Sequence, residues 1–352
     1  MGDKGPAGAV RVFSAAMRPV DNPPNRWHAT HVAWDEGEAP LAALEVFEER
    51  AKSILTENDS PDIPVRWGLN PYRGCSHACA YCFARPTHQY LGFGAGTDFD
   101  RKIVVKLNAA ALLREAFERP SWRGETVMLS GNTDCYQALE GRYKITRACL
   151  EVFAAYRNPV GVITKGILVR RDVDLLAELA RHEAAHVYVS IPFFDDAVRR
   201  KVEPLASPIA QRFETLRVLA AAGVPCGVSV SPIIPGLNDG DVAKVIEAAH
   251  AAGARRAFMT PLRLPGETMT VYDARMAEAF PDRVKRMDSA LVQVRRGKRN
   301  ETAFGARMTG DGPRWEIVRQ LFHATCKRLG MNAPEEDGPT PFLRPWTQGK
   351  LF

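Results

Sequence analysis

From residue 125 onward, short apolar runs alternate with longer stretches of helical period. "ETVMLSG" (125–131) is followed by the amphipathic "YKITRACLEVFAAYR" (143–157). "PVGVITKG" (159–166) leads into "DVDLLAELARHE", and "AHVYVSIP" (185–192) into "SPIAQRFETLRVLAAAG". "VPCGVSVSPIIPG" (224–236) precedes "DVAKVIEAAHAAG", and "ARRAFMTP" (254–261) precedes one long helix, "YDARMAEAFPDRVKRMDSALVQVRR", interrupted early by Pro281. Continuously apolar strands alternating with helices predict a parallel sheet covered by helices. A further strand near "VRWGLN" (65–70) makes six βα units, enough for a partial barrel whose reactive residues sit at the carboxyl ends of its strands.

Upstream the pattern is weaker. In "PLAALEVFEERAKSIL" (40–55), Leu41, Leu44, Phe47 and Ile54 recur at helical spacing and predict a helix. Residues 1 to about 35 are rich in Pro, Gly and Ala without a period and read as a loosely packed arm. The expected layout is an N-terminal arm and helix (1–58), a barrel (59–300) and a C-terminal extension and tail (301–352).

Composition is that of an ordinary globular chain, with 25% charged residues and 45% hydrophobic. Seven cysteines, an odd number with four of them scattered (Cys135, Cys149, Cys226, Cys326), fit a reducing cytoplasm better than a disulfide framework. No signal peptide or membrane-spanning run is read. Net charge is +6, and Arg283 to Arg328 alone holds twelve Lys/Arg against four Asp/Glu. That block reads either as a surface facing a polyanion or as a solvated helix face. On the first reading Arg295, Arg296, Lys298 and Arg299 contact phosphates.

The other three cysteines are gathered in "NPYRGCSHACAYCFARP" (70–86), as Cys75, Cys79 and Cys82. Three thiolates at C-x3-C-x2-C spacing can hold three irons of a [4Fe-4S] cube and leave the fourth iron open, with the ring of Tyr81 beside it. The alternative is a zinc site completed by His77, His88 or Cys135, as in a non-enzymatic, zinc-stapled nucleic-acid-binding module.

"GCSHACAYCF" resembles the signature of the radical S-adenosylmethionine (radical SAM) superfamily. With "NDSPDIP", "SGNTDCYQALEGRYKITR" and "VSPIIPGLND", the chain is most similar to an uncharacterised bacterial branch related to spore photoproduct lyase. The resemblance covers about residues 60 to 330. It implies a partial (β/α)6 barrel of TIM type, with a basic helical C-terminal extension. It implies a [4Fe-4S] cluster, S-adenosylmethionine cleaved to a 5′-deoxyadenosyl radical, and an electron donor such as flavodoxin or ferredoxin. It also implies a nucleic-acid substrate, the alternative being a protein or a small metabolite.

By the same resemblance, Ser130, Asn132, Thr133 and Asp134 end the strand that holds the methionine amino group. Lys165, at the next strand end, faces the cofactor carboxylate; Ser190 contacts the ribose; Ser231 and Ile233 flank the adenine. Cys135 directly follows Asp134 and stands for the hydrogen-donor cysteine of the lyase from a shifted position, the other reading being a residue that lines a helix start. The end of the chain, Gln348 to Phe352 ("QGKLF"), resembles the peptide that docks on the bacterial sliding clamp; the alternative is a tail that packs Phe342, Trp346 and Phe352 on its own domain.

Overall fold

The structure, a computed structural model, describes residues 43–334 and 338–345. Ten strands are present among them: β1 (Glu45–Glu49), β2 (Leu55–Glu57), β3 (Trp67–Leu69), β4 (Tyr72–Arg73), β5 (Lys102–Lys106), β6 (Val127–Leu129), β7 (Val160–Thr164), β8 (Ala185–Ser190), β9 (Cys226–Ser229) and β10 (Arg256–Phe258). The main sheet has the order β10-β9-β8-β7-β6-β3-β2. Its six strands from β3 to β10 are parallel; β2 closes one edge antiparallel to β3. These are the six units of the expected partial barrel, left open because β10 and β2 remain edges.

Register explains the apolar runs. Val127 lies opposite Val160, Val162 opposite Val187, and Val189 opposite Val228. All six are buried, because helices cover one face of the sheet and the other face fills the barrel interior. The covering helices include Ile145–Tyr156, Val173–Ala180, Ile209–Ala221 and Val242–Ala251, at the places their periodicity predicts. Each returns the chain so that the next strand runs parallel, and every carboxyl end opens on the same side.

Two sequence expectations are corrected. The segment 40–55 forms no helix across its described residues. Glu45–Glu49 pairs in parallel with Lys102–Lys106, Val46 opposite Ile103 and Phe47 opposite Val104. "EVFEE" holds strand formers, and its hydrogen-bond partner lies more than fifty residues downstream, so tertiary pairing overrides a short run of helical spacing. With β4, which pairs antiparallel to β5, these strands form a second, three-stranded sheet. The long helix after "ARRAFMTP" is two helices, Thr268–Ala279 and Val284–Val294. Pro281 lacks the amide that would continue the ladder, so the chain breaks there.

Candidate functional site

The three cysteines lie on the loop that leaves β4. Gly74 opens it at φ +77°, where a Cβ would stand 2.9 Å from the carbonyl oxygen of Phe99, so only glycine fits. The loop has little regular structure, and buried side chains from elsewhere satisfy its backbone. Gln137 clamps it on both sides of Cys75: its Nε2 donates to the Gly74 carbonyl at 3.1 Å and its Oε1 accepts from Ser76 N at 3.0 Å. Arg275 Nη1 donates to the Ala78 carbonyl at 2.7 Å, and Arg85 Nη2 to that of Cys79 at 2.7 Å. Thr268 Oγ1 reaches the Cys82 carbonyl at 3.2 Å. Arg85 and Arg275 are themselves tied by the buried carboxylate of Asp100.

Cys75 and Cys79 are buried, each 8% exposed, and Cys82 is half-buried. Burial pushes the Cys75 thiol well up, and the neighbouring Asp134, Cys79 and Cys82 push it further; burial, with Glu203 and Cys82 and against Lys165 and Arg212, carries Cys79 to about 12. A positive centre is needed to keep such a set as thiolates. The donor chemistry therefore fits a group that takes three thiolates from one loop.

Of the residues offered as a fourth zinc ligand, His77 faces a carboxylate, while His88 and Cys135 are buried in packing. His77 Nδ1 faces Asp134 Oδ2 at 3.3 Å. His88 lies between Phe93, tilted to it, and Phe99, which it meets edge-on, with ring centroids 5.2 and 5.5 Å away. Cys135 is fully enclosed; its amide donates to Ser130 Oγ and its carbonyl accepts from Thr146 Oγ1. Among the described residues no three His, Cys, Asp or Glu groups close around a single ion.

The strand ends converge on this loop. Asp134, after β6, accepts from Thr164 Oγ1 (2.6 Å), Lys165 N (2.7 Å) and Tyr136 N (2.9 Å) besides His77. Burial pushes its carboxyl up, but His77 and these donors outweigh burial and hold it well below the carboxylate range. Asp134 thus ties the ends of β6 and β7 to the cluster loop. Thr133 Oγ1 donates to the Tyr72 carbonyl, and Ser130, at φ +71°, receives the Cys135 amide. The side chain of Asn132 is exposed.

Lys165, after β7, holds its Nζ over the Tyr81 ring, 5.7 Å from the centroid. Burial pulls its pKa down, yet Cys79 and Glu203 outweigh it and raise the value. Tyr81 donates its hydroxyl to Glu203. Glu203 Oε2 also accepts from Arg212 Nη2 at 2.5 Å, and Arg212 Nη1 reaches the Ser190 carbonyl at the end of β8 at 2.9 Å. Ser231 Oγ accepts from Thr260 N at 2.9 Å, and the enclosed Ile233 bridges to Pro261 beyond β10. So Tyr81, Lys165 and Ser190 are joined through one buried chain, while Ser231 and Ile233 line the far strand ends.

Sequence reasoning missed Gln137, Arg85, Arg275, Glu203 and Arg212. Gln137 and Arg85 sit inside the motif runs but carry no spacing that distinguishes them from ordinary polar residues. Glu203 is 122 residues from Tyr81 and Arg275 is 197 from Ala78, so no local spacing marks them.

The basic block is also corrected. Arg295 is buried and donates to the carbonyls of Pro261, Leu262, Arg307 and Thr309. Arg296 pairs with Asp311, Lys298 with Glu301, and Arg299 with Asp273 and Asp288. Arg295 and Arg299 thus tie the C-terminal extension to its own chain, while Arg296 and Lys298 remain exposed in surface pairs. Phe342 packs on Phe117 and Tyr156, with Leu343 N donating to the Tyr156 carbonyl, whereas Trp346 and Gln348 to Phe352 lie outside the described residues. Among the described residues no helix is long and apolar enough to cross a membrane.

Comparison with known proteins adds independent information. The Radical SAM superfamily profile matches residues 69–249. An uncharacterised protein of Mycobacterium tuberculosis is 43% identical over 226 residues, 64% of this chain and 66% of that protein, so the chain spans just under two thirds of that relative. A radical SAM Nα-GlyT isomerase of Pseudomonas phage M6 is 21% identical over 76% of this chain and 55% of its own. Among solved structures, a spore photoproduct lyase variant with bound AdoMet and dinucleoside spore photoproduct superposes with a TM-score of 0.56 at 16% identity, covering 81% of this chain and 80% of that one. At that identity the likeness is one of fold.

Proposed function

The chain belongs to the radical SAM superfamily, whose members use a [4Fe-4S] cluster and S-adenosylmethionine, and from that premise we propose that it acts on nucleic acid as a repair or modification enzyme related to the photoproduct lyases. The observation that carries the enzymatic reading is the loop of three thiols, two buried and one half-buried, held at the carboxyl ends of six parallel strands. When bound, the cluster and S-adenosylmethionine supply the 5′-deoxyadenosyl radical.

The chain's own residues do the rest. Cys75, Cys79 and Cys82 anchor the cluster. Gln137, Arg85 and Arg275 fix the loop so that the three thiols keep their spacing. Lys165 offers an ammonium to the cofactor carboxylate, and Asn132 an exposed amide to its amino group. Tyr81, Glu203 and Arg212 brace the wall between cluster loop and β8, and their burial excludes water. Nucleic acid as substrate is supported by the fold likeness to a lyase solved with a dinucleoside photoproduct.

The test is anaerobic reconstitution, then incubation with dithionite, S-adenosylmethionine and either irradiated or unirradiated DNA. The expected result is 5′-deoxyadenosine or a changed nucleoside in digested DNA. A colourless, zinc-bearing preparation with neither product defeats the reading.

A further inference from the structure

At the barrel mouth, the Arg263 guanidinium has no anion within ion-pair distance among the described residues. Arg263 follows β10 and reaches the face of Phe83, the residue after Cys82, with its Cζ 5.8 Å from the ring centroid. Its Nη1 donates to the thioether sulfur of Met308 at 3.1 Å, a weak acceptor. Its Nε is enclosed without a partner. The carboxylate that influences it, Asp62, is already taken by Arg307 Nε and Gly305 N, each at 2.5 Å. Arg307 and Arg295 add like charge beside it. Burial, with Arg307 next, draws the Arg263 pKa below its ordinary value, and Asp62 does not make up the difference. A half-buried cation in this position calls for an external anion.

The same lip carries exposed aromatic surface. Phe83 is 45% exposed and Phe304 60% exposed, the latter under the guanidinium of Arg307 at 4.4 Å. Alternating guanidinium and ring is the arrangement that follows a nucleic-acid strand, charge on phosphate and ring on base. Cys75 and Cys79, at 8% exposure, lie too deep for a base still stacked in a duplex to reach their cluster.

We propose that Arg263 takes a backbone phosphate of a DNA strand whose unstacked base enters the mouth across Phe83, with Phe304 as a second stacking surface. The proposal rests on the nucleic-acid reading above and assigns it a docking surface. The cofactor carboxylate offers a guanidinium similar chemistry, so the experiment separates the two anions.

The reconstituted full-length chain is titrated with a short, fluorescein-labelled single-stranded oligodeoxynucleotide across a salt series, read by anisotropy. Arg263→Gln weakens binding about 10-fold and lowers the magnitude of the salt slope by about 0.7. Phe304→Ala, on the surface and neutral for the fold, weakens binding at least about 5-fold with the slope unchanged. Iron content per chain and S-adenosylmethionine binding by equilibrium dialysis match the parent in both variants. An Arg263→Gln chain that binds DNA with the parent's affinity and slope overturns the proposal. Lost S-adenosylmethionine binding with DNA binding intact overturns it in favour of the carboxylate. Should Arg263→Gln lose its iron, parental binding by Phe304→Ala overturns it alone. A parent chain that binds no DNA defeats the nucleic-acid reading itself, and the proposal with it.

Discussion

At the scale of the residue, the site divides into groups that face the reaction and groups that hold them. Cys79 is the thiol tied most closely to the rest of the wall, because its carbonyl is fixed by Arg85 and its sulfur lies near Lys165 and Glu203. Cys79→Ala removes one anchor of three. Iron content after reconstitution should fall sharply and 5′-deoxyadenosine formation should vanish; full activity in this variant would defeat the cluster assignment. We propose that Cys135 belongs to the other group. A hydrogen donor must meet its substrate, and this thiol is wholly enclosed, pushed up by burial and then by Asp134. Cys135→Ala should leave iron content and product spectrum as in the parent and cost about 1 kcal/mol in denaturant unfolding, the ordinary scale of a small core change. A changed product with unchanged stability would restore the donor role. The sequence marked Cys135 by its neighbour Asp134, but adjacency along the chain at a strand end alternates sides, and here it turns one residue to the loop and the next to the core.

At the scale of the element, the cluster loop is legible as a motif and illegible as a structure. Periodicity located β6 to β10 and their helices, because each is a local pattern repeated along the chain. It could not locate β1, whose strand character depends on β5, nor the supports of the loop, which come from three different elements. The strongest of these supports is Asp100, from the short helix Thr97–Arg101, buried between Arg85 on the turn Arg85–Leu91 and Arg275 on Thr268–Ala279. One carboxylate compensates two buried guanidiniums, so its loss strands both charges. Asp100→Asn keeps the shape and removes the charge. Unfolding free energy should drop by about 3 to 5 kcal/mol, and iron retention should fall with it, since the same arginines hold the carbonyls of Ala78 and Cys79. Unfolding that matches the parent would show the three elements to be held by apolar packing alone.

At the scale of the whole molecule, the surplus of positive charge gives the wrong address for nucleic acid when read along the chain. Twelve Lys/Arg against four Asp/Glu between Arg283 and Arg328 looks like a phosphate-binding strip. Yet Arg299 finds Asp273, outside the run, besides Asp288 within it, and Arg314 finds Asp239, 75 residues upstream. Charge counted over a window cannot see carboxylates that folding brings in from elsewhere. At the mouth, by contrast, Arg263 is a half-buried guanidinium with no carboxylate partner among the described residues. The two addresses make opposite predictions for the triple variant Arg296→Ala, Lys298→Ala, Arg299→Ala, which spares the buried Arg295. Three lost phosphate contacts would flatten the salt slope of duplex binding by about 2.7. Because each of these side chains already has a carboxylate of its own chain, the expected slope is that of the parent, with a small loss of thermal stability from the broken surface pairs. A slope reduced by two units or more would return the interface to the C-terminal block and leave Arg263 as a minor contact.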